Sequence, residues 1–286
     1  MIYVVGTSFS SLAATNAFVK KGLEVTVLDI GKKSTFNSKQ KIIDLIKKGD
    51  IYKAINFINN ISKKNAKNYP KIKMNKTNFG SHFYREKLIN DDVEKQHKTE
   101  TSLSYAYGGF SNIWGAASMP ILKEEMENWP INFDELSKHF DEVSKLLNVS
   151  GEKDDLNDFF DFHNYEQYKH KLSSQSHQLL ENLNLNKENL RKKGIYFGRS
   201  KLAINNSKNG YLDCVKCGLC FHGCPHDLIY STSDLFDSFI KNHKIKYIPN
   251  IKVNSFDEVM DEVIVSTKNL KSNKIEEFRG KYLFLG

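Results

Sequence analysis

The most distinctive residues of the sequence are four cysteines gathered in one short run. The run CVKCGLCFHGCP, at residues 214–225, holds all four cysteines of a 286-residue chain, and its spacing is C-x2-C-x2-C-x3-C-P. These residues are Cys214, Cys217, Cys220 and Cys224. Thiolates this close in sequence can turn toward a single metal centre, and the same spacing holds iron–sulfur clusters in bacterial ferredoxins. The run therefore predicts a redox centre.

Three occupants of this run are compatible with its sequence. We favour one iron–sulfur cluster, of the 4Fe-4S type if all four thiolates ligate it, or of the 3Fe-4S type if Cys224 does not reach it. Structural zinc is the second alternative, although zinc sites usually join two separated pairs of ligands. Free thiols or a CxxC disulfide are the third. We interpret His222 and His226, which lie beside the run, as surface-loop residues.

The first residues of the chain have the pattern of a dinucleotide-binding unit. A β-branched strand at 2–5 leads into GTSFSSLAATNAFVKKG, which predicts a helix closed by Gly22, and EVTVLD follows as a second strand that ends in Asp29. The turn has Gly6, Ser8 and Ser11 where the fingerprint G-x-G-x-x-G has three glycines. Serine is small enough for both replaced positions, and a pyrophosphate would lie on the helix N-terminus. The alternative is an ordinary strand–helix–strand unit that binds no nucleotide.

A second stretch, SYAYGGFSNIWGAASMP at 104–120, combines paired glycines with small residues around Trp114. Such a composition is typical of backbone that closely approaches a ligand. The alternative is a tight turn between two strands.

Charge, hydrophobicity and cysteine usage bear on the partners and the location that we expect for this protein. The net charge is +8, but the lysines are spread along the chain without an aromatic-interleaved basic stripe, so we expect no nucleic-acid partner. No apolar run reaches the roughly 18–20 residues that span a bilayer. Clustered cysteines and the absence of a signal-peptide pattern favour a cytoplasmic protein.

Hydrophobic periodicity predicts an α/β protein. Helical patterns occur at 36–78, 133–147, 173–191 and 228–240, and strand patterns occur at 196–197, 245–253, 262–266 and 276–285.

Four motifs in this order resemble the glucose–methanol–choline (GMC) oxidoreductases, most closely the bacterial sugar and polyol dehydrogenase branch. They are GTSFSSLAA with Asp29, then GGFSNIWGAA, then WPINFDELSKHF, then CVKCGLCFHGCP followed by YST. The segment at 129–151, which contains the third motif, is the most telling. The resemblance implies an FAD-dependent oxidoreductase that acts on a CH–OH group of a sugar or polyol.

The resemblance also implies how the chain is divided and which residues contact FAD. A Rossmann-like FAD domain would be assembled from residues 1–35, 100–120 and 200–286, with helical or cap segments inserted at 36–99 and 121–199. The residues implied to contact FAD are Gly6, Ser8, Ser11, Asp29, Gly108, Gly109, Ser111, Asn112, Trp114, Gly115, Val253 and Gly286. Among them, Asp29 would bind the adenosine ribose.

The sequence departs from the family at two places. Ile113 stands where some relatives carry a histidine bonded covalently to the flavin. The catalytic histidine of the family is expected beyond residue 286, so no catalytic residue is assigned. A small alcohol or sugar would give hydride to flavin, and the cluster would relay electrons to an external acceptor. The alternatives are a truncated FAD-binding module, whose missing half a second chain could supply, and a ferredoxin-like electron carrier.

Overall fold

A computed structural model describes residues 1–33, 39–65, 103–160, 170–205, 214–220 and 224–286. These residues form two compact units. Unit 1 comprises Met1–Trp114, Leu219–Pro225 and Ser231–Gly286, and unit 2 comprises Gly115–Gly218 and His226–Tyr230. Among the described residues, no helix is both long enough and apolar enough to cross a membrane.

Unit 1 contains a parallel sheet of four strands, which are β1 (Ile2–Val5), β2 (Val25–Leu28), β5 (Lys246–Ile248) and β9 (Tyr282–Leu285). Their order across the sheet is β5-β2-β1-β9, and every neighbouring pair is parallel. The two central strands are almost fully buried, which explains why they read as continuous apolar runs rather than alternating ones. The α/β class predicted from the sequence is confirmed.

Helix α1 (Phe9–Lys20) connects β1 to β2, and it is followed by α2 (Lys39–Lys47) and α3 (Ile51–Asn65). The late helix α8 (Thr232–Lys241) precedes β5. The sequence pattern placed the start of α8 at residue 228. The structure starts it at Thr232, because the Ser231 side chain accepts the N–H of Ser233 and so caps the helix there.

An antiparallel meander lies between β5 and β9 in sequence. It consists of β6 (Ile251–Val259), β7 (Glu262–Asn269) and β8 (Ile275–Gly280). The prediction of one strand over 276–285 is wrong, because the chain leaves the meander at Gly280 and joins the parallel sheet at Tyr282. The turn predicted at Asn250 is confirmed, and that residue has a left-handed φ of 62°.

The meander and the sheet share an apolar core. Tyr3 and Leu28 from the sheet pack with Ile251, Val263 and Val265 from the meander. Burying side chains of this size contributes about 1.5–3 kcal/mol each. The core therefore fixes the strand ends of the sheet relative to the meander.

Unit 2 is mostly helical. Its elements are α4 (Phe133–Leu136), α5 (Phe140–Leu146), β3 (Val149–Ser150), α6 (Ser174–Leu185), α7 (Lys187–Lys192) and β4 (Leu202–Ala203). Strands β3 and β4 pair antiparallel. The strand predicted at residues 196–197 is wrong, because neither residue belongs to a strand. The charged Asp155 is 5% exposed and binds Lys187 and Arg191 of α7.

Candidate functional site

The carboxyl ends of β1 and β9 form a topological switch point. From β1 the chain adds β2 and β5 on one side of the sheet, and it later adds β9 on the other side. Val5 and Leu285 are partners in the register, so the two strands end side by side. In open parallel sheets, ligands bind in the crevice outside the carboxyl ends at such a point. The candidate site therefore lies where Gly6 and Gly286 follow these strands.

These two glycines keep the strand ends free of side chains. Gly6 has a φ of 81°, a left-handed conformation that favours glycine. Gly286 packs directly on Ser11, leaving no space for a Cβ atom. Ser11 is fully buried and its hydroxyl donates to the Val5 carbonyl at 2.9 Å. It thus packs the helix on the strand, the role of the third fingerprint position.

Helix α1 begins at this crevice. Ser8 is its N-cap, and its side chain accepts the N–H of Ser11 at 3.3 Å. The first turn contains no acidic side chain, so the positive end of the helix dipole is not neutralised from within the turn. A helix N-terminus of this kind is suited to a phosphate group.

A glycine loop approaches the same helix end. Gly108 and Gly109 have φ values of 84° and 54°. A Cβ atom on Gly109 would lie 3.9 Å from the Cα and Cβ atoms of Ser8, so the loop and the N-cap are in contact range. The structure therefore brings the two glycine-containing segments predicted from the sequence into one place.

Two side chains of the loop hold its shape rather than point outward. Asn112 donates through Nδ2 to the carbonyls of Tyr107, at 3.0 Å, and Gly109, at 2.8 Å. Ser111 is buried and donates to the Gly108 carbonyl at 2.6 Å. Both residues were predicted to contact FAD, and in this structure both side chains hold the backbone of the loop.

The start of helix α8 holds the glycine loop through hydrogen bonds. The Ser231 hydroxyl donates to Asn112 Oδ1 at 2.9 Å. The backbone N–H of Thr232 donates to the Ser111 hydroxyl at 3.0 Å. The N-terminus of α8 is therefore committed to the loop, whereas that of α1 faces the switch point.

Asp29, directly after β2, is held by the chain itself. Its Oδ2 atom accepts the hydroxyls of Thr7, at 2.8 Å, and Tyr247, at 3.2 Å, and the carboxylate also accepts the backbone N–H groups of Ile30 and Gly31. Burial raises the pKa of Asp29, and these hydrogen bonds oppose that rise.

Two tyrosines border this carboxylate. The rings of Tyr107 and Tyr247 meet edge to face with centroids 5.5 Å apart. The Tyr107 hydroxyl donates to Asp237 at 2.9 Å. Burial raises the pKa of both phenols, and the neighbouring carboxylates of Asp237 and Asp29 add to the rise. Both therefore remain neutral hydrogen-bond donors at any physiological pH.

The other implied FAD contacts fall at different places. Trp114 packs edge to face on Phe9, the first residue of α1, with centroids 4.8 Å apart. Val253 lies at a β-bulge and packs on the core of the meander. Gly115 belongs to unit 2. Ile113 follows the loop that ends at Asn112.

The cysteine run is divided between the two units. Cys214 and Cys217 belong to unit 2, whereas Cys220 and Cys224 belong to unit 1. Among the described residues, no group of three or more His, Cys, Asp or Glu side chains could hold a metal ion. The assignment of an iron–sulfur cluster or a zinc ion to this run therefore stays a prediction from the cysteine spacing. His222 lies outside the described residues.

Sequence reasoning assigned no role to four residues of this region, which are Thr7, Ser231, Thr232 and Tyr247. For one of them, the sequence contained a pattern that could have indicated its role. Ser231 is followed three residues later by Asp234, a pattern typical of a helix N-terminus. Thr7 occupies a variable position of the fingerprint, and Tyr247 is 218 residues from Asp29, so neither could be assigned from local pattern.

The comparisons with known proteins leave the family open. The chain matches no protein-family model, and a search of curated proteins gives no match.

Proposed function

We propose that the chain binds FAD in the crevice at the ends of β1 and β9 and is a flavin-dependent oxidoreductase of the GMC type. Its substrate would be a CH–OH group of a sugar or polyol. The observation that carries the proposal is the meeting of three features at one switch point. Gly6 and Gly286 end adjacent parallel strands, and Gly109 lies against the N-cap of α1.

The residues of the crevice fit a dinucleotide. Without side chains at Gly6 and Gly286, a diphosphate can approach the backbone, and the N-terminus of α1 offers it N–H donors. Gly109 would let the loop run along the same diphosphate. Trp114, which packs edge to face on Phe9, would bound the path toward the flavin ring. When bound, FAD would supply the hydride acceptor for alcohol oxidation.

Relay of electrons through the cysteine run is a separate prediction, which comes from the C-x2-C-x2-C-x3-C-P spacing. Iron and labile-sulfide analysis of anaerobically purified protein tests it independently of flavin binding. About three or four iron and about four sulfide per chain would support it, whereas stoichiometric zinc in colourless protein would overturn it.

The experiment that tests the proposed function measures flavin binding first. FAD is titrated into purified protein and the quenching of its fluorescence is followed, with Gly109→Ala compared against Gly49→Ala. Both glycines have left-handed φ values, but a Cβ on Gly49 meets nothing within 4 Å. We expect the first variant to weaken binding about tenfold and the second to leave it unchanged. Equal effects of the two variants, or no binding by the native protein, would refute the site.

A panel of sugars and polyols then tests the chemistry. Anaerobic bleaching of the visible absorbance of bound flavin would support a dehydrogenase. Bound flavin that no alcohol reduces would identify a flavin-binding module instead. Iron–sulfur absorbance without flavin would identify an electron carrier.

A further inference from the structure

The Thr7 hydroxyl bonds to two other segments, which lie 22 and 101 residues away from it in sequence. It donates to Asp29 Oδ2 at 2.8 Å and accepts the backbone N–H of Gly108 at 2.8 Å. A hydroxyl has one proton, and an ionised carboxylate can only accept. Because the proton is committed to Asp29, the lone pairs of Thr7 are free to accept from Gly108. The carboxylate therefore sets the direction of both hydrogen bonds.

The backbone of Thr7 is tied to the same loop by a second route. The Thr7 carbonyl accepts the Thr232 hydroxyl at 2.7 Å. The same hydroxyl also donates to the Gly108 carbonyl at 3.2 Å. Thr7 is 2% exposed and Thr232 is fully buried. Because water cannot replace these bonds easily, losing one leaves a buried group unsatisfied.

The position of Gly108 controls how close the loop comes to helix α1. A Cβ on Gly108 would lie 2.8 Å from Asn112 Nδ2, and its φ of 84° requires glycine. The next residue, Gly109, is the one that faces Ser8. The Thr7–Gly108 bond thus fixes the width of the gap in which a diphosphate would lie.

Both hydroxyls that donate to Asp29, those of Thr7 and Tyr247, reach the same oxygen, Oδ2. A ribose hydroxyl that approached this oxygen would compete with the two hydroxyls. If it displaced Thr7, the link from Asp29 to the glycine loop would be broken.

We propose that Thr7 is the positioning residue of the glycine loop and that Asp29 acts through Thr7 rather than as the acceptor of a nucleotide ribose. The second half of this assignment rests on the proposed function. The first half concerns the loop alone and holds whether or not FAD is the ligand.

The loop is tested without any ligand. Hydrogen exchange of the Gly108 amide is compared in the native chain, Thr7→Val and Thr7→Ser. Valine keeps the shape of threonine but has no hydroxyl, whereas serine keeps the hydroxyl. We expect exchange to be at least tenfold faster in Thr7→Val and near native in Thr7→Ser. Equal protection in all three proteins would overturn the positioning role. If Thr7→Val does not fold, faster exchange in Thr7→Ser than in the native chain would also overturn it.

The role of Asp29 is tested with two ligands. FAD and its analogue lacking the 2′-hydroxyl of the adenosine ribose are titrated into the native chain. We expect affinities within about twofold of each other, because the ribose does not meet Asp29. A loss of tenfold or more for the analogue, abolished in Asp29→Asn, would overturn the assignment. Failure of both ligands to bind would refute the proposed function, and the exchange result would stand independently.

Discussion

A Cβ atom on Gly286 would overlap Ser11 Oγ and would lie 2.7 Å from the Ser11 backbone nitrogen. The end of β9 and the first turn of α1 therefore touch through backbone. Ser11 in turn donates to the end of β1, so one buried hydroxyl holds the three elements that surround the switch point.

Gly286→Ala is expected to destabilise unit 1 and widen the crevice. The added methyl group meets backbone as well as a side chain, and overpacking of this kind costs about 1–3 kcal/mol. Thermal unfolding and FAD titration measure the two effects. The native chain is the reference for both measurements. A Gly286→Ala protein as stable as the native chain would show that the contact with Ser11 is not tight.

Ser231→Ala should cost more than the loss of an ordinary helix cap. Ser231 and Ser173 both cap a helix through the side chain, which contributes about 1 kcal/mol. Ser231 also donates to Asn112, whereas Ser173 caps its helix in an exposed setting by accepting the N–H of Ser176. Chemical denaturation of Ser231→Ala and Ser173→Ala compares them. Equal losses would mean that α8 does not support the glycine loop.

The stability of unit 2 is expected to fall in acid through Asp155. Its hydrogen bond to Lys187, with a further contribution from Arg191, lowers the pKa of this carboxyl. The stabilisation is therefore present above the ordinary pKa of about 3.9 and is lost as the pH falls through the lowered value. Asp155→Asn should remove this acid-dependent component. Urea unfolding from pH 2 to pH 7, with Asp158→Asn as the exposed control, measures it.

Asp29 is expected to have the opposite pH dependence. Burial raises its pKa, so the folded state binds the proton more tightly than the unfolded state does. Its contribution is most favourable below pH about 3.9 and declines as the pH rises through the raised pKa. The difference in unfolding free energy between the native chain and Asp29→Asn should fall across that window. A difference that rises with pH would contradict the assignment of burial as the dominant cause.

The sequence pattern predicted those elements that depend on interactions between residues close together in the chain. The β1–α1–β2 unit follows from a β-branched strand, a cap and a glycine, and all three act within a few residues. The split of 276–285 between two sheets did not follow, because Gly280 and Tyr282 have strand-forming neighbours on both sides. Only the partners decide it: Gly280 pairs with Val263, and Tyr282 pairs with Ile2.

The candidate site shows the same limit on what local sequence pattern can predict. The glycines could be predicted, because left-handed backbone and close approach restrict the residue type. The hydrogen bonds of Thr7 to Asp29 and Gly108 could not, since they join three segments that only the folded chain brings together. The convergence of the cysteines stays a prediction from their spacing. Their assignment to two units is a tertiary property that local pattern does not contain.

The pairing of Ile2 with Tyr282 also sets an order of events in synthesis and folding. Strand β1 is the first strand to be synthesised, and it pairs along one edge with β9, the last strand of the sheet in sequence. This partner of β1 is therefore absent until at least 282 residues have been translated. Closing so long a loop is entropically costly, and contacts of this separation form slowly. The crevice at the switch point is therefore assembled late, and a nascent chain must keep the apolar edge of β1 from other partners until then.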